Sequence, residues 1–422
     1  MEHEEAGARA VPSPSAASGQ PPSLAYLVWC LFAGHTMAAM AMLVLPAVAP
    51  VVARDYGVDP SVIGYQISLV GAGFVVSLLY FGNFSRRFGA ARTNQLGQTT
   101  LAAGLLLMML PQPLFLMIGS LALGLGHGLL GPSVTTLLIR FTPAARRNFV
   151  FSIQQTSVPL GGIGAALLAP AVAVTLDWRW ALVVNALLHL AVVAFLQRGR
   201  AHWDDDRDAR AAPVSSRPLA ACAMIWRHPR LRLISVAAGC LCWGQFCVAA
   251  YTVVASVEAL GMSLIAAGMV LMVVQLSNAV SRVIAGWLAD RVGSTPRVLL
   301  WIAALMLATS IASIWLAPGW LTPMLYVYFA LQGIATGAWA GLVLAEVGQL
   351  APQGQVSTAV SGALVYINSG KLFGPAAFAA IYGFTTNYGL AFASVAAPAL
   401  LAVYCLSRVT RQADPAPAVR GS

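Results

Sequence analysis

Charged side chains are scarce in this 422-residue chain. Asp, Glu, Lys and Arg together make up 9% of the residues, whereas hydrophobic residues make up 59%. Soluble domains carry roughly a quarter charged residues, and the mean hydropathy here is +0.77. The composition therefore excludes an ordinary soluble domain. It predicts a polytopic membrane protein, long enough for about a dozen spans of ~20 residues in a lipid bilayer.

Carboxylates are absent from the middle of every hydrophobic run. Glu346 lies near the end of the tenth run, and Asp55, Asp59, Asp177 and Glu258 fall between runs. Exporters of cationic drugs commonly need a buried carboxylate, because an unpaired cation is costly in the membrane. The lack of one favours a neutral or anionic substrate.

Lysine is nearly absent as well. All other basic residues are arginine, and the single lysine, Lys371, lies in the middle of the apolar segment 357–384 as its only charge. An ammonium at mid-depth costs roughly 2.5–3.5 kcal/mol, so it needs a partner or a wet cavity. Snorkelling to an interface requires a position near a helix end, which Lys371 lacks. This position predicts a functional cation, with an anion as its partner.

Motifs for catalysis or ATP coupling are also missing. No H-E-x-x-H, G-x-S-x-G or Walker sequence occurs, so we expect neither an enzyme nor a cofactor. The six cysteines fit small hydrophobic residues better than a metal site. No basic stripe alternates with aromatic residues, so we expect no nucleic-acid partner. The run Asp204–Asp208 contains D-D-x-x-D, which could bind magnesium diphosphate; the alternative is a solvated charge run.

Twelve apolar runs are present, and helix is the structure expected for them. Lipid leaves backbone groups no water to bind, and the runs are too long for barrel strands. The predicted fold class is an all-α polytopic membrane protein, with 12 transmembrane helices in two six-helix bundles. The runs cover residues 24–52, 61–84, 94–110, 114–139, 149–175, 180–197, 233–257, 263–288, 298–317, 321–348, 357–384 and 389–407.

Arginine placement predicts the orientation. With the N-terminus inside, inside loops and tails hold 20 arginines and outside loops only Arg54 and Arg179. The positive-inside rule then places both termini in the cytoplasm of a plasma (inner) membrane protein. The predicted parts are a disordered tail (1–23), an N-terminal bundle (24–197), a cytoplasmic linker (198–232), a C-terminal bundle (233–407) and a second tail (408–422).

The two halves carry related segments at corresponding places. Gly82–Gly89 reads G-N-F-S-R-R-F-G after the second run, and Gly286–Gly293 reads G-W-L-A-D-R-V-G after the eighth. The second copy matches G-x-x-x-D-R-x-G, and with twelve spans the chain resembles the major facilitator superfamily over essentially its whole length. The resemblance implies two bundles that rock around one central site.

The same resemblance implies a conformational latch in these loops. Its predicted residues are Gly82, Gly89, Gly286, Asp290, Arg291 and Gly293. In the family the Asp faces a helix N-terminus, where negative charge is favourable. Arg86 occupies the Asp position of the first copy, so the latch there is in doubt. Ser120 stands where proton-coupled members often carry an arginine, which weakens a proton-antiport interpretation.

The predicted substrate site centres on cations. Arg282 in the eighth run and Lys371 in the eleventh resemble the arrangement of oxalate/formate and monocarboxylate transporters, where such cations hold a carboxylate. The alternative for Arg282 is a structural role in which it holds neighbouring helices together and pairs with Glu346. His35 is a candidate substrate or proton group. The neutral candidates, which are alternatively interhelical hydrogen-bonding groups, are Asn368, Tyr366, Gln275, Asn278, Gln154, Gln155, Tyr65 and Trp243.

These residues favour a secondary transporter of a small organic anion. It would work by alternating access, as an exchanger or as a proton symporter in which His35 or Lys371 carries the proton, and we expect a monomer. One alternative is an efflux transporter of drugs or hydrophobic compounds. A second is a transporter-like sensor that binds without turnover.

Overall fold

The protein is helical throughout the part of the chain that its computed structural model describes. That part comprises residues 23–143, 146–215, 218–317, 319–353 and 355–413, and it holds no strand. The predicted tails lie largely outside it. The helices are α1 (Leu24–Ala47), α2 (Ala49–Tyr56), α3 (Tyr65–Tyr80), α4 (Phe84–Phe88), α5 (Ala90–Leu107), α6 (Pro113–Phe141), α7 (Arg147–Thr175), α8 (Trp178–Trp203), α9 (Ala220–Arg227), α10 (Pro229–Glu258), α11 (Leu264–Val292), α12 (Thr295–Ala312), α13 (Thr322–Gly337), α14 (Ala340–Leu350), α15 (Val356–Thr385), α16 (Tyr388–Ala393) and α17 (Ala396–Ala413).

Eleven helical segments of the described chain are long and apolar enough to cross a membrane. The predicted third span corresponds to α5, whose first half is too polar for that criterion. Its amides are turned towards neighbouring helices: Asn94 donates to Ser133 Oγ on α6 (3.1 Å), and Gln95 donates to the Val193 carbonyl on α8 (3.1 Å). These side chains are satisfied within the protein. The all-α polytopic fold is confirmed.

Helix ends differ from the predicted runs in several places. The runs 24–52, 321–348 and 389–407 each contain two helices, and the first break, at Val48, lies between two prolines, Pro46 and Pro50. α8 continues to Trp203 and α10 begins at Pro229, so the polar connection is shorter than 198–232. Apolar content predicts which residues lie within the membrane, whereas the exact helix ends depend on the positions of prolines and of helix-capping residues.

Glycines allow the N-terminal helices to touch along their backbones. A Cβ on Gly124 of α6 would lie 2.1 Å from the Val70 carbonyl oxygen of α3. A Cβ on Gly126 would lie 2.7 Å from the Gly97 carbonyl oxygen of α5. The Gly124-x-Gly126 sequence therefore seats α6 against two neighbours at once, as small residues commonly do in membrane helices.

Helices of the two halves also meet closely. A Cβ on Gly71 of α3 would lie 2.7 Å from the Leu372 nitrogen of α15, and one on Gly162 of α7 would lie 2.5 Å from Gln275 Nε2 of α11. The backbone next to Lys371 is therefore pressed against the N-terminal half. This contact fixes the depth at which the Lys371 side chain enters the interface.

Candidate functional site

Lys371 extends into the interface between the two halves. Its side chain is 4% exposed. Its Nζ lies 4.5 Å from the ring centroids of Phe74 on α3 and Phe246 on α10, and 4.0 Å from Met42 Sδ on α1. In the described chain no carboxylate forms an ion pair with it. Aromatic faces attract a cation but carry no net charge, so the ammonium has no charged partner.

Arg282 crosses the same interface from α11. Its Nε donates to Asn278 Oδ1 on its own helix (2.9 Å), and its Nη1 donates to the Gln155 carbonyl oxygen on α7 (3.4 Å). The alternative pairing with Glu346 does not occur in the structure; Glu346 instead interacts electrostatically with Arg230. Among the described residues Arg282 therefore donates only to neutral oxygens, and a guanidinium has further donors that a ligand could use.

A small cavity lies between the halves beside these cations. Its volume is about 30 Å³, which is room for one or two waters. Met42 and Phe246, which contact Lys371, form part of its wall, as do the predicted residues Gln275 and Asn278. Gln245 also lines it. The two halves enclose this space in the present conformation, so a substrate needs them to move apart.

Three histidines lie in the N-terminal half near this cavity. The rings of His35 on α1 and His127 on α6 are 5.3 Å apart and nearly perpendicular. His127 also lies 5.3 Å from the Phe74 ring that contacts Lys371. His189 on α8 is fully buried and shares a 2.5 Å hydrogen bond with Gln98 Oε1. Of the three, His35 and His127 form a pair on the side facing Lys371.

The remaining predicted site residues divide into two groups. Asn368 is buried and donates to the Leu364 carbonyl (2.8 Å), and Gln154 donates to the Leu31 carbonyl of α1 (3.2 Å). Tyr366 points away from the cavity and donates to the Cys222 carbonyl (3.3 Å). Trp243 lies with it beside a separate crevice between α10 and α15. Tyr65 is 37% exposed at the beginning of α3. The structure thus places Tyr366, Trp243 and Tyr65 outside the cavity wall. Asn368, Gln154 and Gln155 are not among the residues that line it either.

Comparisons with known proteins agree with this architecture. The family model of the Major Facilitator Superfamily matches residues 30–375. This chain belongs to the major facilitator superfamily. A curated relative, the "Multi-drug resistance efflux pump PmrA homolog" of Lactococcus lactis subsp. lactis (strain IL1403), is 30% identical over 125 residues. That match covers 29% of this chain and 31% of the relative, so this chain spans about a third of the relative's length.

Solved transporters share the fold. A POT family transporter in complex with 5-aminolevulinic acid is 14% identical, with a TM-score of 0.72 and coverage of 94% of this chain and 96% of that one. The nucleoside transporter NupG is 12% identical (TM-score 0.72, coverage 91% and 99%). A bacterial homologue of the lysosomal transporter Spinster, inward-facing and occupied, is 15% identical (TM-score 0.66, coverage 95% and 100%). This chain thus belongs to a superfamily of membrane transporters and shares the fold of these solved members.

Tyr251 forms a seal between the two halves at one end of their interface. Its hydroxyl donates to the Pro375 carbonyl of α15 (2.8 Å) and to the Ser61 carbonyl of the N-terminal half (3.3 Å). Its ring stacks on Phe378 at 3.9 Å, and a Cβ on Gly64 would lie 2.0 Å from its hydroxyl. A buried tyrosine thus ties both halves together at the end where α3 begins.

Tyr251→Phe is expected to loosen that seal. Removing the hydroxyl leaves two buried carbonyls without their donor, which costs about 1–3 kcal/mol. Cys247 lies one turn before Tyr251 and is buried. In a variant that keeps Cys247 as its sole cysteine, we expect Tyr251→Phe to accelerate maleimide labelling roughly five- to thirtyfold. Tyr404→Phe, at a side chain 53% exposed on α17, is the control; equal labelling in both would contradict the seal.

The loop that the sequence predicts as a latch lies at the end of α11. Gly293 ends α11 with a left-handed φ of +66°, which favours glycine. Asp290 is exposed and forms no ion pair within the described residues, while Arg291 stacks over Trp287 at 5.5 Å.

The first half obtains its missing carboxylate from the linker. Asp204, directly after α8, accepts hydrogen bonds from the Ala91 and Arg92 backbone nitrogens at 2.7 and 2.9 Å. These are free donors at the N-terminus of α5, where a negative charge is stabilised. Gly89 has a φ of +93°, and a Cβ there would lie 2.2 Å from Asp204 Cγ. Sequence analysis missed this role; the acidic run beside so many arginines was the available signal.

The rest of the acidic run is paired with arginines. Asp208 pairs with Arg86 at 3.1 Å, and both Asp205 and Asp206 pair with Arg140 at the end of α6. The Arg140 guanidinium holds the pKa of Asp205 below its usual value, so this pairing is present at neutral pH and is lost as the pH falls through that lowered pKa. The run therefore fastens the linker to the N-terminal half. These contacts favour the charge-run interpretation over a magnesium diphosphate site.

Asp204→Ala is expected to release this linker. The loss of a carboxylate that caps a helix N-terminus costs about 1–2 kcal/mol. We expect trypsin to cleave after Arg207 and Arg210 roughly five to twenty times faster in the variant. Asp208→Ala is the matched comparison, because its exposed ion pair contributes only about 0–1 kcal/mol. Equal cleavage rates in the two variants would mean that Asp204 does not hold the linker.

Proposed function

We propose that this transporter carries a small organic anion, a carboxylate, by alternating access, and that Lys371 is its anion anchor. The supporting observation is the buried ammonium without a carboxylate partner. Breaking a buried ion pair typically costs 3–5 kcal/mol because one charge is left unpaired. A bound carboxylate would supply the counter-charge that the described chain lacks.

Arg282 serves as the second cation in this proposal. Two positive charges beside one cavity repel each other, and an anion between them removes that repulsion. A guanidinium also matches the planar carboxylate with two parallel donors. Gln275, Asn278 and Asn368 supply neutral donors around the same space. The proposal places the protein in the plasma (inner) membrane as a monomer, with cytoplasmic termini and Asp290 on the cytoplasmic side.

Counterflow in liposomes tests the proposal. The purified protein is reconstituted with unlabelled lactate, oxalate, malonate or succinate inside, and uptake of the same labelled acid is followed. We expect trans-stimulated uptake of at least one of these acids. Protein-free liposomes correct for passive entry. The absence of counterflow with all four would reject a carboxylate transporter of this kind.

Efflux of a hydrophobic compound is the second candidate. It is favoured by the relative named as a multi-drug resistance efflux pump, although that match covers under a third of this chain. The apolar wall of the cavity, with Met42, Leu43 and Phe246, is compatible with such a substrate. Extrusion of a dye such as ethidium from cells producing the protein, without any carboxylate counterflow, would support this candidate instead.

A further inference from the structure

We propose that the imidazoles of His35 and His127 together bind a proton that this protein moves with its organic anion. This inference rests on the proposed function and names the coupling ion and its site. The pair lies inside the N-terminal half, whereas the anion anchor Lys371 belongs to the other half. The proton and the anion would thus be held on opposite sides of the interface that opens and closes.

The geometry of the pair leaves room for a proton. The ring planes of His35 and His127 meet at 87°, with centroids 5.3 Å apart. The Nδ1 atom of each ring is buried and has no hydrogen-bond partner among the described residues. Unpaired buried polar atoms are uncommon and costly in folded proteins. Two of them on rings whose centroids are 5.3 Å apart mark a place where a proton or a water would complete the contacts.

One aromatic ring joins this pair to the anion anchor. Phe74 lies 5.3 Å from the His127 ring and 4.5 Å from Lys371 Nζ. Lys371 and Arg282 both act electrostatically on His35, and Lys371 and His189 act on His127. On α10 the thiol of Cys242 lies beside Lys371. No described carboxylate acts on either ring.

These charges make proton binding depend on the anion. With the site empty, a protonated imidazole would be a third positive charge beside Lys371 and Arg282. A carboxylate on Lys371 cancels part of that repulsion, so it favours the proton on the pair. By thermodynamic reciprocity, the proton strengthens carboxylate binding by the same factor. One proton joins an imidazole lone pair on the side of entry and leaves it on the side of release, together with the anion.

His189 is the control, because its Nδ1, unlike that of His35 and His127, has a hydrogen-bond partner, whereas its Nε2 is buried without one among the described residues. Its Nδ1 lies 2.5 Å from Gln98 Oε1, which can only accept, so Nδ1 carries the hydrogen. Gln98 Nε2 in turn donates to Asn94 Oδ1 (3.5 Å), and Asn94 donates to Ser133 Oγ. This chain of hydrogen bonds runs within the N-terminal bundle. We assign it a structural role.

The test measures how many protons move per anion. Liposomes containing the wild-type protein and a trapped pH dye receive an inward gradient of labelled lactate, oxalate, malonate or succinate. We expect the lumen to acidify with about one proton per lactate. In His35→Gln and His127→Gln the ratio should fall at least fivefold, whereas His189→Gln should keep the wild-type ratio. An unchanged ratio in both pair variants would overturn the proposal.

If a histidine variant does not fold, the pH dependence of carboxylate binding to the wild-type protein and to Lys371→Arg tests the proposal instead. The carboxylate affinity of the wild-type protein should strengthen as the pH falls, by up to about tenfold for each pH unit. Lys371→Arg keeps a permanent charge, so the pH dependence should persist in it if the histidines bind the proton. Its disappearance would assign the proton to Lys371. Net wild-type uptake down the anion gradient without lumen acidification would reject only the coupling, whereas the absence of both uptake and counterflow would reject the proposed function and the coupling together.

Discussion

Lys371→Met is expected to raise the melting temperature of the empty protein and to abolish its response to carboxylates. The first effect is a gain in stability and the second is a loss of function, and both follow from the removal of one positive charge. The ammonium is 4% exposed and unpaired, so replacing it by an apolar side chain of similar length removes a charge that is costly to bury. The same change removes the counter-charge for the anion. We expect kcat/KM for carboxylate uptake to fall at least a hundredfold, or about 3 kcal/mol.

The measurement is a thermal-shift series with and without oxalate, lactate, malonate and succinate. A ligand that binds only the folded state raises its apparent stability. The control is Arg54→Met, which removes the same charge from an exposed position at the end of α2. We expect it to keep the wild-type response. A Lys371→Met protein that still responds to carboxylates would reject Lys371 as the anchor.

Gly124→Ala is expected to destabilise the N-terminal half. The new Cβ would lie 2.1 Å from the Val70 carbonyl oxygen and 2.8 Å from the Phe74 nitrogen. Both are backbone atoms, which cannot turn away as a flexible side chain can. Helices α3 and α6 must therefore separate, which typically costs 1–3 kcal/mol. Phe74 would move with α3, so the contacts to Lys371 and His127 would weaken too.

Gly164→Ala on α7, in the same half, is the matched control. The nearest atom to a Cβ there is Met40 Sδ at 3.5 Å, an ordinary contact with a flexible side chain, and alanine favours a helix over glycine by about 1 kcal/mol. We expect the melting temperature to fall in Gly124→Ala and to stay level or rise in Gly164→Ala. Carboxylate transport should fall in the first variant only. Equal melting temperatures would mean that α3 and α6 do not pack as described.

Hydropathy alone predicted the fold class, because lipid permits few ways to satisfy a backbone. It was less informative for α5, whose amides turn towards α6 and α8 and make it too polar to pass as a span by composition. The Gly/Asp/Arg spacing of the Asp290 loop was enough to predict it as a latch. Its counterpart could not be predicted in this way, since the carboxylate at the start of α5 comes from Asp204, 113 residues away from its partner Ala91. Local spacing carries no information about such a contact.

The candidate site shows the same division. The sequence by itself determined that Lys371 is the sole lysine, lies within a span and has no carboxylate at its depth. Only the tertiary structure decided that Phe74, Phe246 and Met42 surround its ammonium, and that His35 and His127 form a pair beside it. It also decided that Tyr366 and Trp243 face a different crevice. Composition and hydropathy fix how deep a residue lies in the membrane, whereas the helix packing set by glycine contacts fixes which residues it meets.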